Sequence, residues 1–112
     1  MFDLMRFSPF AREMVDRAGR CVGRAIRVGG DFRQIQYEIN QARTYISILA
    51  QFTSARRKDA VLRDLGALRG RGRGDERWHT HCQSLIDDFE RCWAKEHPIR
   101  GGTQLDSRRR KQ

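Results

Sequence analysis

The segment that decides the fold, residues 31–53, reads DFRQIQYEINQARTYISILAQFT. Successive residues of an α-helix lie about 100° apart, and this spacing gathers the apolar residues of the segment onto two sides. One stripe comprises Phe32, Ile35, Ile39, Ala42, Ile46, Leu49 and Ala50. A second flank comprises Tyr37, Tyr45, Ile48 and Phe52. A helix that is apolar on two sides lies at the centre of a bundle or is shared with a second chain.

The chain before this central helix carries boundary signals for a first helix. Ser8 offers a capping hydroxyl and the ring of Pro9 presets a helical φ, so a helix is predicted from Pro9 to about Val28. Gly29 and Gly30 then provide a left-handed stop, and Asp31, which follows directly, is the predicted cap of the central helix. The two helices are therefore predicted to form an antiparallel hairpin. A short lead segment is predicted to fold back onto the bundle through the apolar residues Phe2, Leu4, Met5 and Phe7.

A short third helix is predicted to follow the central one. It runs from Ala55 to about Arg69, with Ser54 as its candidate cap. Its apolar set is small, so the helix is expected to be weakly anchored: Val61, Leu62, Leu65 and Leu68. The next run, RGRGRG at residues 69–74, alternates glycine with arginine and cannot propagate a helix. A loop is therefore expected there.

A fourth helix is predicted to begin at Asp75 and Glu76 and to end before Pro98. Its apolar stripe comprises Trp78, Cys82, Leu85, Phe89, Cys92 and Trp93. The last segment has little apolar content and ends in a basic run, as is typical of a disordered tail. The sequence thus predicts an all-α antiparallel bundle of four helices as one domain over residues 1–98, with a disordered basic tail at 99–112.

The net charge of the chain indicates which class of partner it can bind. The 112 residues carry a formal net charge of +9, and the sequence pI is near 10.7. Of the 23 basic residues only Lys58, Lys95 and Lys111 are lysines. Arginine grips phosphate or carboxylate in a two-pronged geometry that lysine cannot match. We therefore expect a nucleic acid or an acidic protein surface as partner, and not a neutral small-molecule substrate.

The cellular compartment is predicted from the beginning of the chain, from its longest apolar runs and from its cysteines. The beginning, MFDLMRFSPF, is interrupted by Asp3, Arg6 and Pro9 before a signal-peptide core can develop. No run approaches the roughly 18 apolar residues of a membrane span. The odd number of cysteines, Cys21, Cys82 and Cys92, is typical of reduced thiols. A cytoplasmic protein without membrane contact is expected.

The first candidate site is an arginine row on the first helix. Its members are Arg17, Arg20, Arg24 and Arg27, whose spacings of three, four and three place them on one face. This row could follow successive phosphates. The alternative is a solvated face, or a row that pairs with Asp87, Asp88 and Glu90 of the fourth helix.

A second candidate site is a basic cluster at the third helix and its loop. It comprises Arg56, Arg57, Lys58, Arg69, Arg71 and Arg73, with Arg63 between them. Such segments contact nucleic acid backbones without reading sequence. The alternative is a solvated, mobile loop. The glycine pattern is not a nucleotide fingerprint, because such a fingerprint follows a strand and none is predicted.

Catalytic and metal sites find little support. His79 and His81 would point about 160° apart on a helix and cannot share one ion. Cys82 and Cys92 fall on the apolar stripe, where free cysteine is usually a small hydrophobe. The carboxylates are scattered, and no cysteine and histidine are forced together. We therefore expect no enzyme, no cofactor and no metal.

Two functional hypotheses remain from the sequence. The first is a small, non-enzymatic regulator or accessory protein that binds a nucleic acid backbone, alone or within a nucleoprotein complex, through its arginine-rich faces. The second is a protein–protein inhibitor or adaptor whose basic face blocks an acidic or nucleic-acid-binding site on a larger machine. The second flank, Tyr37, Tyr45, Ile48 and Phe52, needs a cover and could form an oligomer or partner interface. A helix-turn-helix arrangement of the second and third helices is a further alternative.

Overall fold

The computed structural model describes the backbone of residues 2–98 and the side chains of residues 9–98. This part of the chain forms four α-helices: α1 (Phe2–Arg27), α2 (Phe32–Gln51), α3 (Lys58–Gly70) and α4 (Glu76–Glu96). A 3-10 turn at Ala55–Arg57 precedes α3, and the described residues contain no strand. The predicted all-α bundle of four helices with a short third helix is confirmed. The predicted disordered tail, 99–112, lies outside the described residues.

The central helix α2 packs along both α1 and α4, while α3 closes the bundle against α4 and α1. Ala42, Ile46, Leu49 and Ala50 of the predicted stripe are buried in the core. The stripe is wrong at its first residue, because Phe32 is 72% exposed. Phe32 lies beyond the end of α1 at Arg27, so no described helix covers it.

The predicted start of the first helix is wrong. Helix α1 begins at Phe2, and Pro9 lies inside it. Proline removes one hydrogen bond from a helix and disfavours the conformation of the preceding residue, but it need not end the helix. The lead segment therefore extends α1 instead of folding back. The side chains of Phe2, Leu4, Met5 and Phe7 lie outside the described ones.

Two of the three α-helices after α1 begin at a side-chain cap. Asp31 accepts a hydrogen bond from the backbone N–H of Gln34 at 3.2 Å, and Asp75 accepts from the N–H groups of Arg77 and Trp78. These bonds, above all the one from Trp78, hold the pKa of Asp75 below its usual range. The hydroxyl of Ser54 makes no capping bond. Its backbone carbonyl instead accepts a hydrogen bond from the N–H of Arg57 at 3.0 Å. The 3-10 turn thus takes the place of a side-chain cap before α3.

The Arg-Gly loop is built tightly around Trp78. The indole Nε1 of Trp78 donates to the carbonyl of Leu68 at 3.0 Å. A Cβ added at Gly72 would overlap Cδ1 and Cγ of the same ring. The loop closes at Gly74, whose φ of +74° is a left-handed conformation that favours glycine. This loop is therefore a packed turn and not a solvated tether.

Gly72→Ala is expected to lower the free energy of unfolding by about 2 kcal/mol, since the new methyl group must displace the anchored Trp78 ring. Gly70→Ala is the matched control, because a Cβ there would meet no atom within 4 Å beyond its chain neighbours and the backbone of its own helix. The control substitution should leave stability unchanged or raise it by up to about 1 kcal/mol. Urea unfolding measures both variants. Equal stability of the two would contradict the packed turn.

Candidate nucleic-acid interface

The arginine row of α1 is exposed, and two of its members, Arg17 and Arg24, contact side chains of α2. The side chains of Arg17, Arg20 and Arg24 are 46%, 58% and 45% exposed. Arg27 is exposed as well and has no ion pair among the described side chains. The alternative in which the row pairs with α4 is wrong. The ion pairs of this row are made to glutamates of α1 and α2 instead.

Two of these arginines share one carboxylate. Arg17 Nε lies 2.7 Å from Glu13 Oε2, and Arg20 Nη2 lies 3.6 Å from the same oxygen. The hydrogen bond from Arg17 lowers the pKa of Glu13 and raises that of Arg17. One carboxylate cannot neutralise two guanidinium groups, so this end of the row keeps a net positive charge.

Arg24 has a structural role that the sequence did not reveal. Its Nε donates to Glu38 Oε1 at 3.0 Å, while the amide of Gln34 donates to the other oxygen of Glu38 at 3.1 Å. Glu38 is only 6% exposed, and the bond to its carboxylate raises the pKa of Arg24. A buried carboxylate requires such partners. Arg24 therefore joins α1 to α2 and is less available to a ligand than its neighbours.

The structure brings the arginine row and the aromatic flank together. The guanidinium carbon of Arg17 lies 5.8 Å from the centroid of the Tyr45 ring, within the range of a cation–π contact. The rings of Phe10 and Phe52 meet edge to face at 5.8 Å. The sequence predicted the two sets separately and without their contact.

The second flank divides into covered and uncovered residues. Tyr45 and Ile48 are partly buried and pack against the core of the bundle. Tyr37 and Phe52 remain 56% and 61% exposed. The bundle itself thus covers half of the flank, which leaves the rings of Tyr37 and Phe52 largely in solvent.

The second basic cluster does not form one row. Arg56, Arg57 and Lys58 lie at the start of α3, where Lys58 Nζ is 4.5 Å from the centroid of the Trp93 ring. Arg69, Arg71 and Arg73 lie at the other end, about 20 Å away along a helix of 13 residues. The structure therefore separates the residues that the sequence grouped.

The loop half of this cluster approaches the row of α1. Arg71 Nη2 lies 3.7 Å from Asp16 Oδ1, and Asp16 precedes Arg20 by one helical turn. A Cβ at Gly23 would lie 3.6 Å from Arg27 Nη1 and 3.9 Å from Trp78 Cζ3, so Arg27 reaches towards the loop. Arg69 donates to the side chain of Gln83, and Arg73 is exposed.

A polar groove between α2 and α4 was missed by the sequence reasoning. Buried Asp88 lies between Arg43 and Arg91, with Arg43 Nε 2.9 Å from Asp88 Oδ2. The groove has a volume of about 310 Å³ and is also lined by Asn40, Thr44, Ser47 and Cys92. A signal existed: Asp88 follows the buried Leu85 by one helical turn, so it falls on the core side of α4.

The cysteines and histidines of the described residues are buried or partly buried. Burial raises the pKa of Cys82 to about 11 and also raises that of Cys21, which favours the unreactive thiol form. Burial lowers the pKa of His81. Among residues 9–98, no three histidine, cysteine or carboxylate side chains are grouped so that they could hold a metal ion. In the same part of the chain, no helix is long and apolar enough to cross a membrane.

Comparison of the chain with protein-family models, curated proteins and solved structures found no match.

Proposed function

We propose that this protein binds a nucleic acid backbone through the arginine row of α1, as a non-enzymatic accessory or regulatory protein that acts alone or in a nucleoprotein complex. The observation that supports this proposal is the uncompensated charge of the row. Its four exposed arginines face two carboxylates, Glu13 and Glu38, which leaves a formal surplus of two positive charges. The row spans about 15 Å of helix, a length that can serve several phosphates.

The arginines of the row contribute differently to this proposal. Arg20 and Arg27 interact least with other described side chains, so they serve as the main phosphate ligands. Arg17 adds the N–H donors that Glu13 does not occupy. Arg71 extends the surface from the loop, beside Asp16. The start of α3, with Arg56, Arg57 and Lys58, provides a separate contact region for a longer nucleic acid. The free thiols are consistent with a cytoplasmic site of action.

Arg20→Glu combined with Arg27→Glu is expected to weaken binding to a 20-nucleotide DNA at least tenfold at low salt. Removing each phosphate ligand should also reduce the slope of log affinity against log salt by about 1. Neither side chain holds a buried partner, so the melting temperature should change little. Fluorescence anisotropy across a salt series measures affinity and slope, and circular dichroism measures melting.

The matched control is Arg63→Glu combined with Lys95→Glu. Both residues are exposed and lie on α3 and α4, not on the helix that carries the row, and the double substitution lowers the formal charge from +9 to +5, as the test pair does. The control pair should reduce affinity less than threefold. Equal reductions for both pairs would mean that only total charge matters and would refute the row as an interface. Wild-type protein that binds no nucleic acid at low salt would refute the proposed function.

A protein–protein inhibitor or adaptor is the second candidate function, and the exposed aromatic rings favour it. Phe32, Tyr37 and Phe52 are more than half exposed, and aromatic residues are enriched at protein interfaces. An acidic protein surface, or a second copy of the chain, would then cover them. A stoichiometric complex that survives moderate salt and is abolished in Phe52→Ala would support this function.

A further inference from the structure

The seam between α1 and α2 has a regular repeat. Three side-chain contacts across the seam form this repeat: Phe10 with Phe52, Arg17 with Tyr45, and Arg24 with Glu38. On each helix these residues are seven apart, so successive contacts lie about 10 Å from each other along the seam. The repeat keeps the arginine row and the aromatic flank side by side over a strip of about 20 Å.

Two exposed aromatic residues adjoin this strip: Tyr37 directly precedes Glu38 in the chain, and Phe52 contacts Phe10. Tyr37 and Phe52, near its two ends, are 56% and 61% exposed, and Tyr45 lies between them beneath Arg17. Exposed rings beside a row of guanidinium groups are what single-stranded nucleic acid requires, because unpaired bases stack on the rings while phosphates meet the charges. A duplex keeps its bases stacked inside and offers such rings nothing to stack on.

The partly buried Trp78 and Trp93 and the exposed Phe32 are less suited to this role. Trp78 is held by its hydrogen bond to Leu68 and by the backbone of Gly72, so its ring is committed to the loop. One face of Trp93 is stacked on His97 at 4.2 Å, and Lys58 lies over the ring. Phe32 is exposed, but it lies about 140° around α2 from Tyr37 and away from the arginine row.

We infer that the seam binds single-stranded nucleic acid in preference to duplex, with unpaired bases on Tyr37 and Phe52 and phosphates on Arg17, Arg20 and Arg27. This inference rests on the proposed function and adds the class of nucleic acid and the residues that select it. The arginines provide affinity that depends on salt. The aromatic rings provide the preference for unpaired bases.

The test is fluorescence anisotropy with labelled 20-nucleotide oligodeoxythymidine, oligouridine and a 20-base-pair duplex, at one low salt concentration. Wild-type protein should bind at least one of the single strands ten or more times more tightly than the duplex. Tyr37→Ala and Phe52→Ala should each reduce single-strand affinity about tenfold, since each removes one stacking platform. Duplex affinity and the salt dependence should stay unchanged, because no cation is removed.

Two controls separate stacking from general surface effects. Tyr37→Phe keeps the ring and should bind as the wild type does. Phe32→Ala removes a ring that is more exposed than Tyr37 or Phe52 and lies on another side of α2, so it should have no effect on affinity. Circular dichroism checks that each variant folds, and Tyr37→Ala decides the matter if Phe52→Ala does not fold.

The outcomes also distinguish this inference from the proposed function. Equal or tighter binding of duplex, or normal single-strand binding by Tyr37→Ala, would overturn the inference and leave backbone binding intact. Wild-type protein that binds no nucleic acid would overturn both. A wild-type dimer in light scattering that becomes monomeric in Phe52→Ala, with single-strand affinity unchanged, would identify the seam as a contact between two copies and overturn the inference.

Discussion

Replacing Phe89 with alanine is expected to lower the free energy of unfolding by about 4 kcal/mol. Among residues 9–98, Phe89 is the largest side chain that is completely buried, and it lies on α4 within the core cluster to which all four helices contribute. Truncation removes its apolar surface from the core and leaves a cavity that rigid helices fill only in part. Urea unfolding, followed by circular dichroism at 222 nm, which reports helix, measures the loss.

Phe32→Ala is the matched control for this substitution. The same atoms are removed from a side chain that is 72% exposed, so the change should stay within about 0.5 kcal/mol. Comparable losses at Phe32 and Phe89 would mean that Phe32 is covered in solution, for example by a second copy of the chain. A negligible loss at Phe89 would contradict the packing of α4 against the bundle.

The sequence predicts the helices well because their signals are local. The periodicity of residues 31–53 and the cap at Asp31 depend only on residues a few positions apart, and both are confirmed. The start of α1 was wrong because the signal at Ser8 and Pro9 is also compatible with a helix interior. The exposure of Phe32 depends on where the neighbouring helix ends, which periodicity does not report.

The candidate site was predictable only within single helices. Helical spacing places the four arginines of the row on one face of α1, and all four are exposed to solvent in the structure: Arg17, Arg20, Arg24 and Arg27. Their neighbours depend on how α1 and α2 are aligned, so neither the contact of Arg17 with Tyr45 nor the pairing of Arg24 with Glu38 could be read from spacing. The groove at Asp88 joins residues 45 positions apart and was missed for the same reason.

Arg43→Met combined with Arg91→Met is expected to lower the free energy of unfolding by about 3 kcal/mol. The two guanidinium groups are the ion-pair partners of Asp88, whose side chain is only 8% exposed. Methionine keeps much of the volume of arginine and removes the charge, so the carboxylate is left buried without a partner. Thermal and urea unfolding should both show the loss.

Replacing Asp88 itself should lower the free energy of unfolding much less than replacing the two arginines. This difference tests whether the arginines stabilise the protein as partners of the buried carboxylate. In Asp88→Leu the two arginines, which are 49% and 61% exposed, can turn to water, so the loss should be about 1 kcal/mol or less. Adding Asp88→Leu to the arginine double variant should restore most of its missing stability, because no buried charge remains unpaired. A triple variant as unstable as the double variant would show that the arginines stabilise the groove through packing of their side chains and not through Asp88.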